Sequence, residues 1–254
     1  DIAQLVENFT APSLAKALRD REETLQLCAY LLQKEDIGGL QRLLSPYLKE
    51  NIEKKRRKLR PVLDLSGGFT KTGLAKIQRL LHRQPREVEQ SARRRASVVI
   101  PLCNVNGVAS VLFERRSALV RTHKHEVCFP GGMVDMDDPN IIYTSVREME
   151  EELGISANVP DVLGILRCNW SAVSALTGVS VTPVVGYIGR LEDLTLSINY
   201  DEVSVCVFTV PVSDLLNRDM WQDNAVGPPS FHGAPFLIWG LTAYIMDRFT
   251  KEIL

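Results

Sequence analysis

Glu148, Glu151 and Glu152 are the residues of this 254-residue chain whose type and spacing most invite chemistry. Residues three and four apart share one side of a helix. Like charges so placed repel by roughly 0.2–0.5 kcal/mol per pair on an exposed helix, so something must offset them. A glutamate-rich turn is ordinarily a solvated face. The functional alternative is a hard divalent cation, because magnesium takes carboxylate and phosphate oxygens together with water. Such a cation, Mg2+ or Mn2+, would neutralise a pyrophosphate, orient it and lower the pKa of an attacking water. Arg147 stands beside the three and can pair with one of them. The pair Gly131-Gly132 lets the backbone turn tightly against such a helix, with Gly131 able to offer a carbonyl to the metal.

These residues need a helix, and the sequence supplies its limits. Asp138 is placed to cap it, Pro139 suits the first position and Gly154 the end, which predicts a helix over 138–153. Ile142, Val146, Met149 and Leu153 recur at helical spacing as its buried stripe, away from the glutamates. Around it the pattern predicts strands at 97–103 and 108–113, joined by the turn Asn104-Val105-Asn106-Gly107. Further strands are expected at 162–166, 179–187, 203–210 and 230–238, and helices at 212–218 and 240–253. Strands and helices so mixed point to an α/β (α+β) fold in which helices sandwich a mixed sheet.

The first 95 residues read differently. They hold 20 basic and 12 acidic residues against 10 and 19 in 96–254. Helical spacing is seen at 12–33, 40–48 and 70–82, interrupted by the run Lys54-Lys55-Arg56-Arg57-Lys58-Leu59-Arg60 and closed by Arg93-Arg94-Arg95. We therefore read 1–95 as a basic, mainly helical extension and 96–254 as the catalytic domain. The basic run is read as a solvated helix face before a nucleic-acid or anionic-lipid contact.

Five scattered cysteines, Cys28, Cys103, Cys128, Cys168 and Cys206, lack the close pairing of a zinc site and read as buried thiols of a reducing, intracellular setting. The uncharged stretch 168–189 carries too many polar residues and a proline for a membrane span, and is expected to be a loop entering a strand. The chain opens on Asp1, so its N-terminus gives no localisation.

Arg147-Glu148-Met149-Glu150-Glu151-Glu152-Leu153-Gly154-Ile155, behind Gly132, resembles the Nudix box, whose tail is R-E-U-x-E-E-x-G-U with U aliphatic. The general box has glutamate where this chain has Asp138, and a spacer of seven before the arginine where this chain has eight. The longer spacing resembles the coenzyme A pyrophosphatase branch. That branch carries L-L-T-x-R-[SA]-x3-R-x3-G-x3-F-P-G-G upstream, and Arg116, Ser117, Arg121 and Phe129-Pro130-Gly131-Gly132 fall in its register. Two positions depart: His125 replaces the glycine, and Val-Leu-Phe-Glu precedes Arg115-Arg116 where the signature has Leu-Leu-Thr. Asn199-Tyr200-Asp201-Glu202-Val203 and Trp239-Gly240-Leu241-Thr242 are similar to animal mitochondrial members.

The resemblance, which covers about 96–254, implies a Nudix-like fold and metal-dependent hydrolysis of coenzyme A or acyl-coenzyme A to 3′,5′-ADP and 4′-phosphopantetheine. It implies Glu148, Glu151 and Glu152 as catalytic metal ligands, Arg147 as their orienting partner and Glu202 as general base or extra ligand. Arg116, Arg121 and Lys124 are candidates to grip phosphates, since guanidinium forks match their oxygens; ordinary surface cations are the alternative. His123 and His125 are read as loop residues, and Asp135–Asp138 lacks the glycine and glutamate of a calcium loop. A small nucleotide is thus the expected partner, with no membrane span and no nucleic acid, and with a homodimer left open; a mitochondrial location follows from the resemblance alone. Two other readings remain. One is hydrolysis of another nucleoside diphosphate derivative, a dinucleotide or capped RNA; the other is an inactive Nudix-derived module binding RNA or protein.

Overall fold

Continuous apolar runs in the chain become strands covered on both faces, which is how a sheet buries itself between helices. The computed structural model describes residues 63–84, 94–120, 123–167, 178–225 and 227–254, with the backbone alone at 204 and 205. The helices expected at 12–33 and 40–48, the basic run at 54–60 and Arg121 lie outside these residues.

A helix, α1 (Lys71–Arg83), precedes β1 (Arg95–Val105) and β2 (Val108–Arg116). After β3 (Val127–Cys128) and β4 (Gly131–Met133) comes α2 (Ile141–Leu153). β5 (Asp161–Ile165), β6 (Ser180–Arg190) and β7 (Val203–Pro211) complete the large sheet. α3 (Val212–Leu216), a small ribbon of β8 (Trp221–Gln222) and β9 (Ser230–Phe231), and α4 (Gly240–Glu252) follow. Residues Leu63–Leu254 form one compact unit. The sheet order is β3-β2-β1-β6-β5, with β4 joined to β1 and β7 to β2. β1 and β6 run parallel, the other pairs antiparallel.

The β1–β2 hairpin turns on Asn106 and Gly107, both at positive φ (49° and 80°), as a primed two-residue turn requires. Its two strands pair only near that turn, Leu102–Val105 against Val108–Val111. Beyond it, Val127–Cys128 pairs with the far end of β2 and Gly131–Met133 with the start of β1. The segment 127–133 thus joins the outer ends of the hairpin strands, bringing the glycine pair under α2.

Alternation along the strands divides the core in two. Val99, Cys103, Leu112, Ile188 and Val203 pack with Met149, Leu153 and Ile155 of α2 and its exit. Ile100, Leu102, Val111, Phe113 and Val185 belong to a larger cluster with Ile77 and Leu81 of α1 and Ala243, Met246 and Phe249 of α4. Helices therefore cover both faces of a mixed sheet, as expected. Two expectations need correction. The strand at 230–238 shrinks to Ser230–Phe231 with a single bridge to Ile238, because Pro235 and the turn before it break the ladder. The helix expected from 138 begins at Ile141, with Asn140 as its cap: Asn140 Oδ1 accepts from the N–H groups of Ile142 and Tyr143 at 3.1 and 3.0 Å. Asp138 is engaged elsewhere. Among the described residues no helix is long and apolar enough to cross a membrane.

Candidate active site

Helix α2 presents two kinds of charge. On one side Arg147 reaches Asp138 through two bonds, Nε to Oδ1 at 2.9 Å and Nη2 to Oδ2 at 3.0 Å. Asp138 also accepts from the backbone N–H of Asp135 and the hydroxyl of Thr144, both at 2.9 Å. The Arg147 guanidinium, above all, holds the Asp138 carboxyl well below the usual range. Arg147 also contacts Glu148 and Glu151 at 3.0 Å each. The orienting role expected of Arg147 thus has a geometric basis.

On the other side Glu148 and Glu152 turn toward the sheet. Glu152 is 2% exposed, and its Oε2 accepts from the N–H of Gly131 at 2.8 Å. A Cβ on Gly132 would lie 2.5 Å from the Glu148 carboxylate, and one on Gly131 2.3 Å from the carbonyl oxygen of Ser97. Glycine at 132 lets a carboxylate lie on the backbone; at 131, where φ is 154°, it lets two strands meet.

Glu202 arrives from the other side, and the end of α2 holds its loop. Gly154 ends the helix in the left-handed region (φ 70°), and a Cβ there would come within 2.6 Å of Ser197. The carbonyls of Glu152 and Leu153 accept from the N–H groups of Asn199 and Ser197, both at 2.9 Å. The Asn199 carbonyl in turn accepts from Glu202 and Val203, and the N–H of Ser117 donates to the Glu202 carbonyl at 2.8 Å. Ligand oxygens of Glu148, Glu152 and Glu202 come within 4.8 Å of one another. Glu151 is not in that group: its side chain is half exposed and tied to Arg147.

Electrostatics sets these carboxylates apart from Asp138, which Arg147 holds low. Burial, followed by repulsion from Glu114, Glu148 and Glu202, pushes Glu152 up to about 10 against the single lowering bond from Gly131. Burial also raises Glu148, opposed by Arg147. Glu114 on β2, which the sequence reading missed, is pushed up to about 7, again chiefly by burial. It shares the strand parity of Leu112 and so the face that meets α2. An acid at a period-two position in a strand buried on both faces was the signal available. Buried carboxylates converging with only Arg147 beside Glu148 and Arg116 acting on Glu114 fit a hard divalent ion, for which such oxygens are the natural ligands.

The phosphate-gripping candidates fall at the rim. Arg116 ends β2, half-buried, and its Nε has no hydrogen-bond partner among the described residues. Lys124 is exposed on the following loop, and Arg121 lies outside the described residues. His125, where the signature has glycine, has φ 61°, and His123 has φ 57°. The glycine of the signature answers a backbone need, and both histidines are loop residues by position.

The NUDIX domain model matches residues 92–226. The mitochondrial coenzyme A diphosphatase NUDT8 of Mus musculus is 37% identical over 166 residues, 61% of this chain and 76% of that protein. Nudix hydrolase 3 of Caenorhabditis elegans is 40% identical over 138 residues, 54% of this chain and 55% of its own length. The uncharacterized Nudix hydrolase NudL of Escherichia coli O7:K1 is 34% identical over 167 residues, 63% of this chain and 83% of its own. The family match spans the strand, the helix and the loop that carry Glu114, Glu148, Glu152 and Glu202, and with the relatives it shows that this chain belongs to the Nudix family of hydrolases, pyrophosphatases acting on phosphoric anhydrides.

Proposed function

We propose that this chain hydrolyses the pyrophosphate of coenzyme A or an acyl-coenzyme A, giving 3′,5′-ADP and 4′-phosphopantetheine or its acyl ester. Convergence of Glu148, Glu152 and Glu202 within 4.8 Å is the observation that supports pyrophosphate chemistry. The substrate is drawn from the relatives named as coenzyme A diphosphatases in mouse and human, and from the matching register of Arg116, Ser117 and Phe129-Pro130-Gly131-Gly132. Water adds to one phosphorus as the bridging P–O bond breaks; one water proton leaves to a base, and the departing phosphate keeps the bridging oxygen.

Glu148, Glu152 and Glu202 would hold Mg2+ or Mn2+. When bound, that cation neutralises the pyrophosphate and makes a coordinated water more acidic. Gly131 fixes Glu152 through its N–H, and Arg147 fixes Glu148. Glu202, the exposed member of the three, would either complete the cation's ligands or take the proton from water. Arg116, half-buried at the end of β2, is a candidate to grip phosphate oxygens.

Incubation with coenzyme A plus Mg2+ or Mn2+, with chromatography of the nucleotides, tests this. The expected result is metal-dependent release of 3′,5′-ADP by the wild type, falling at least a thousandfold in Glu152→Gln, on the order of 4 kcal/mol of barrier. Cleavage of diadenosine or sugar nucleotides with coenzyme A untouched would overturn the substrate. Wild-type rates in Glu152→Gln would overturn the site.

A further inference from the structure

Glu114 is a fourth carboxylate beside this cluster, outside the three that come within 4.8 Å of one another, and it is the one without an assigned task. It is 1% exposed. Its Oε1 accepts from the Cys128 thiol at 3.3 Å, while Oε2 has no hydrogen-bond partner among the described residues. A buried carboxylate in that condition is expensive unless a proton, a protein cation or a metal ion offsets it. Arg116 is the cation that acts on it, yet the Arg116 Nε is itself buried and without a partner. The neighbours make matters worse: Glu202 and Glu148 repel Glu114, and of the charges acting on Glu152 that of Glu114 is the largest.

The position of Glu114 is built by the sheet. It pairs with Cys128 of β3 on one side and Val207 of β7 on the other. It therefore has little freedom to swing out to water. Strand alternation aims it at the face that α2 covers, toward Glu152. A fixed, buried carboxylate with one unpartnered oxygen, on the strand face that α2 covers and repelled by Glu148 and Glu202, is the arrangement expected of a cation ligand.

We propose that Glu114 is a further ligand of the divalent cation, contributing Oε2 from the sheet opposite Glu148 and Glu152 of the helix. The proposal rests on the reading of Glu148, Glu152 and Glu202 as metal ligands. It differs from that reading in placing one ligand outside the box and its loop. The thiol of Cys128 then has a positioning role, holding Oε1 so that Oε2 faces the cluster.

The test is Mn2+ binding by wild type, Glu114→Gln and Glu148→Gln, measured by the electron paramagnetic resonance signal of free Mn2+ and by the rise in Tm that Mn2+ induces. Wild type is expected to bind. Glu114→Gln should bind at least tenfold more weakly and gain less in Tm from Mn2+, while its metal-free Tm does not fall, because the buried group is then neutral without a proton. Unchanged Mn2+ affinity in Glu114→Gln beside lost affinity in Glu148→Gln overturns the Glu114 assignment alone. No Mn2+ binding by the wild type overturns the metal reading as well. If Glu114→Gln does not fold, Glu114→Thr, whose β-branched side chain suits a strand, is read in the same way.

Discussion

Two sides of one helix handle charge in opposite ways. Asp138 and Arg147 form a complete set of bonds, with Thr144, Asp135 and Glu151 taking up what remains. Glu114 and Glu152 lie toward the sheet with far fewer donors, Glu148 between them and Arg147, and burial raises all three. The first arrangement is finished without a ligand and holds the helix to the loop before it. The second is finished only by something positive from outside. Within a few residues, partnered charges mark what the fold needs for itself, and unpartnered ones mark where it acts.

pH separates the two sides most sharply. Folded Glu114 and Glu152 keep protons that the unfolded chain releases above about pH 4.3. Their contribution is fully present below that value and is lost as pH rises toward about 7 for Glu114 and about 10 for Glu152. Metal-free protein should therefore lose stability steadily as pH rises from about 5 to 8, while the unfolded chain is already deprotonated at both positions. Asp138 runs the other way: its folded pKa is depressed, so its contribution is present above about pH 3.9 and lost only in stronger acid. Urea denaturation of metal-free protein across this range, repeated with Mn2+, checks it. A flat profile without metal would remove the contrast.

Asp138→Ala attacks the finished side. It leaves the Arg147 guanidinium without its two bonds to one carboxylate, and the side chain removed is 2% exposed. The expected loss is about 2 kcal/mol, below the usual figure for a broken buried pair because Arg147 is partly open to solvent. For a unit of this size that is about 4–8 °C in Tm, by calorimetry. Metal-free Glu152→Gln, in contrast, should melt no lower than wild type, since an amide is neutral without taking up the proton that burial demands of Glu152. Equal losses in both variants would erase the distinction.

The sequence made much of this visible and hid the rest for physical reasons. Helix α2, its glycine stop and its glutamates were legible because period, cap and acid spacing are local properties. The Asn-Gly turn was legible for the same reason. Asn140 was passed over in favour of Asp138 because both residues cap well; only the position of Arg147 nine residues on decides between them. Glu114 was hidden because one acid in an apolar strand acquires meaning only through pairing with β3 and β7 and through the helix above it. Glu151 looked equivalent to its neighbours by spacing, yet Arg147 draws it to the other side.

The smallest expected effect concerns the loop that follows Arg116. His125 adopts φ 61°, a conformation that costs an L-residue with a Cβ roughly 1–2 kcal/mol and glycine almost nothing. His125→Gly removes that strain but adds freedom to the unfolded chain, which returns part of the gain. A net stabilisation of about 0.5 kcal/mol is expected, read as an upward shift of about 1–2 °C in Tm. The backbone bonds of the loop should survive, because the His125 N–H donates to the Arg116 carbonyl and its carbonyl accepts from Arg115 Nε, none of which needs the imidazole. The imidazole is exposed and enters no contact that the carboxylate cluster depends on, so turnover should stay within about twofold of wild type. A tenfold fall in kcat with Tm unchanged or raised would instead give His125 a chemical part and extend the unfinished side of the molecule onto this loop.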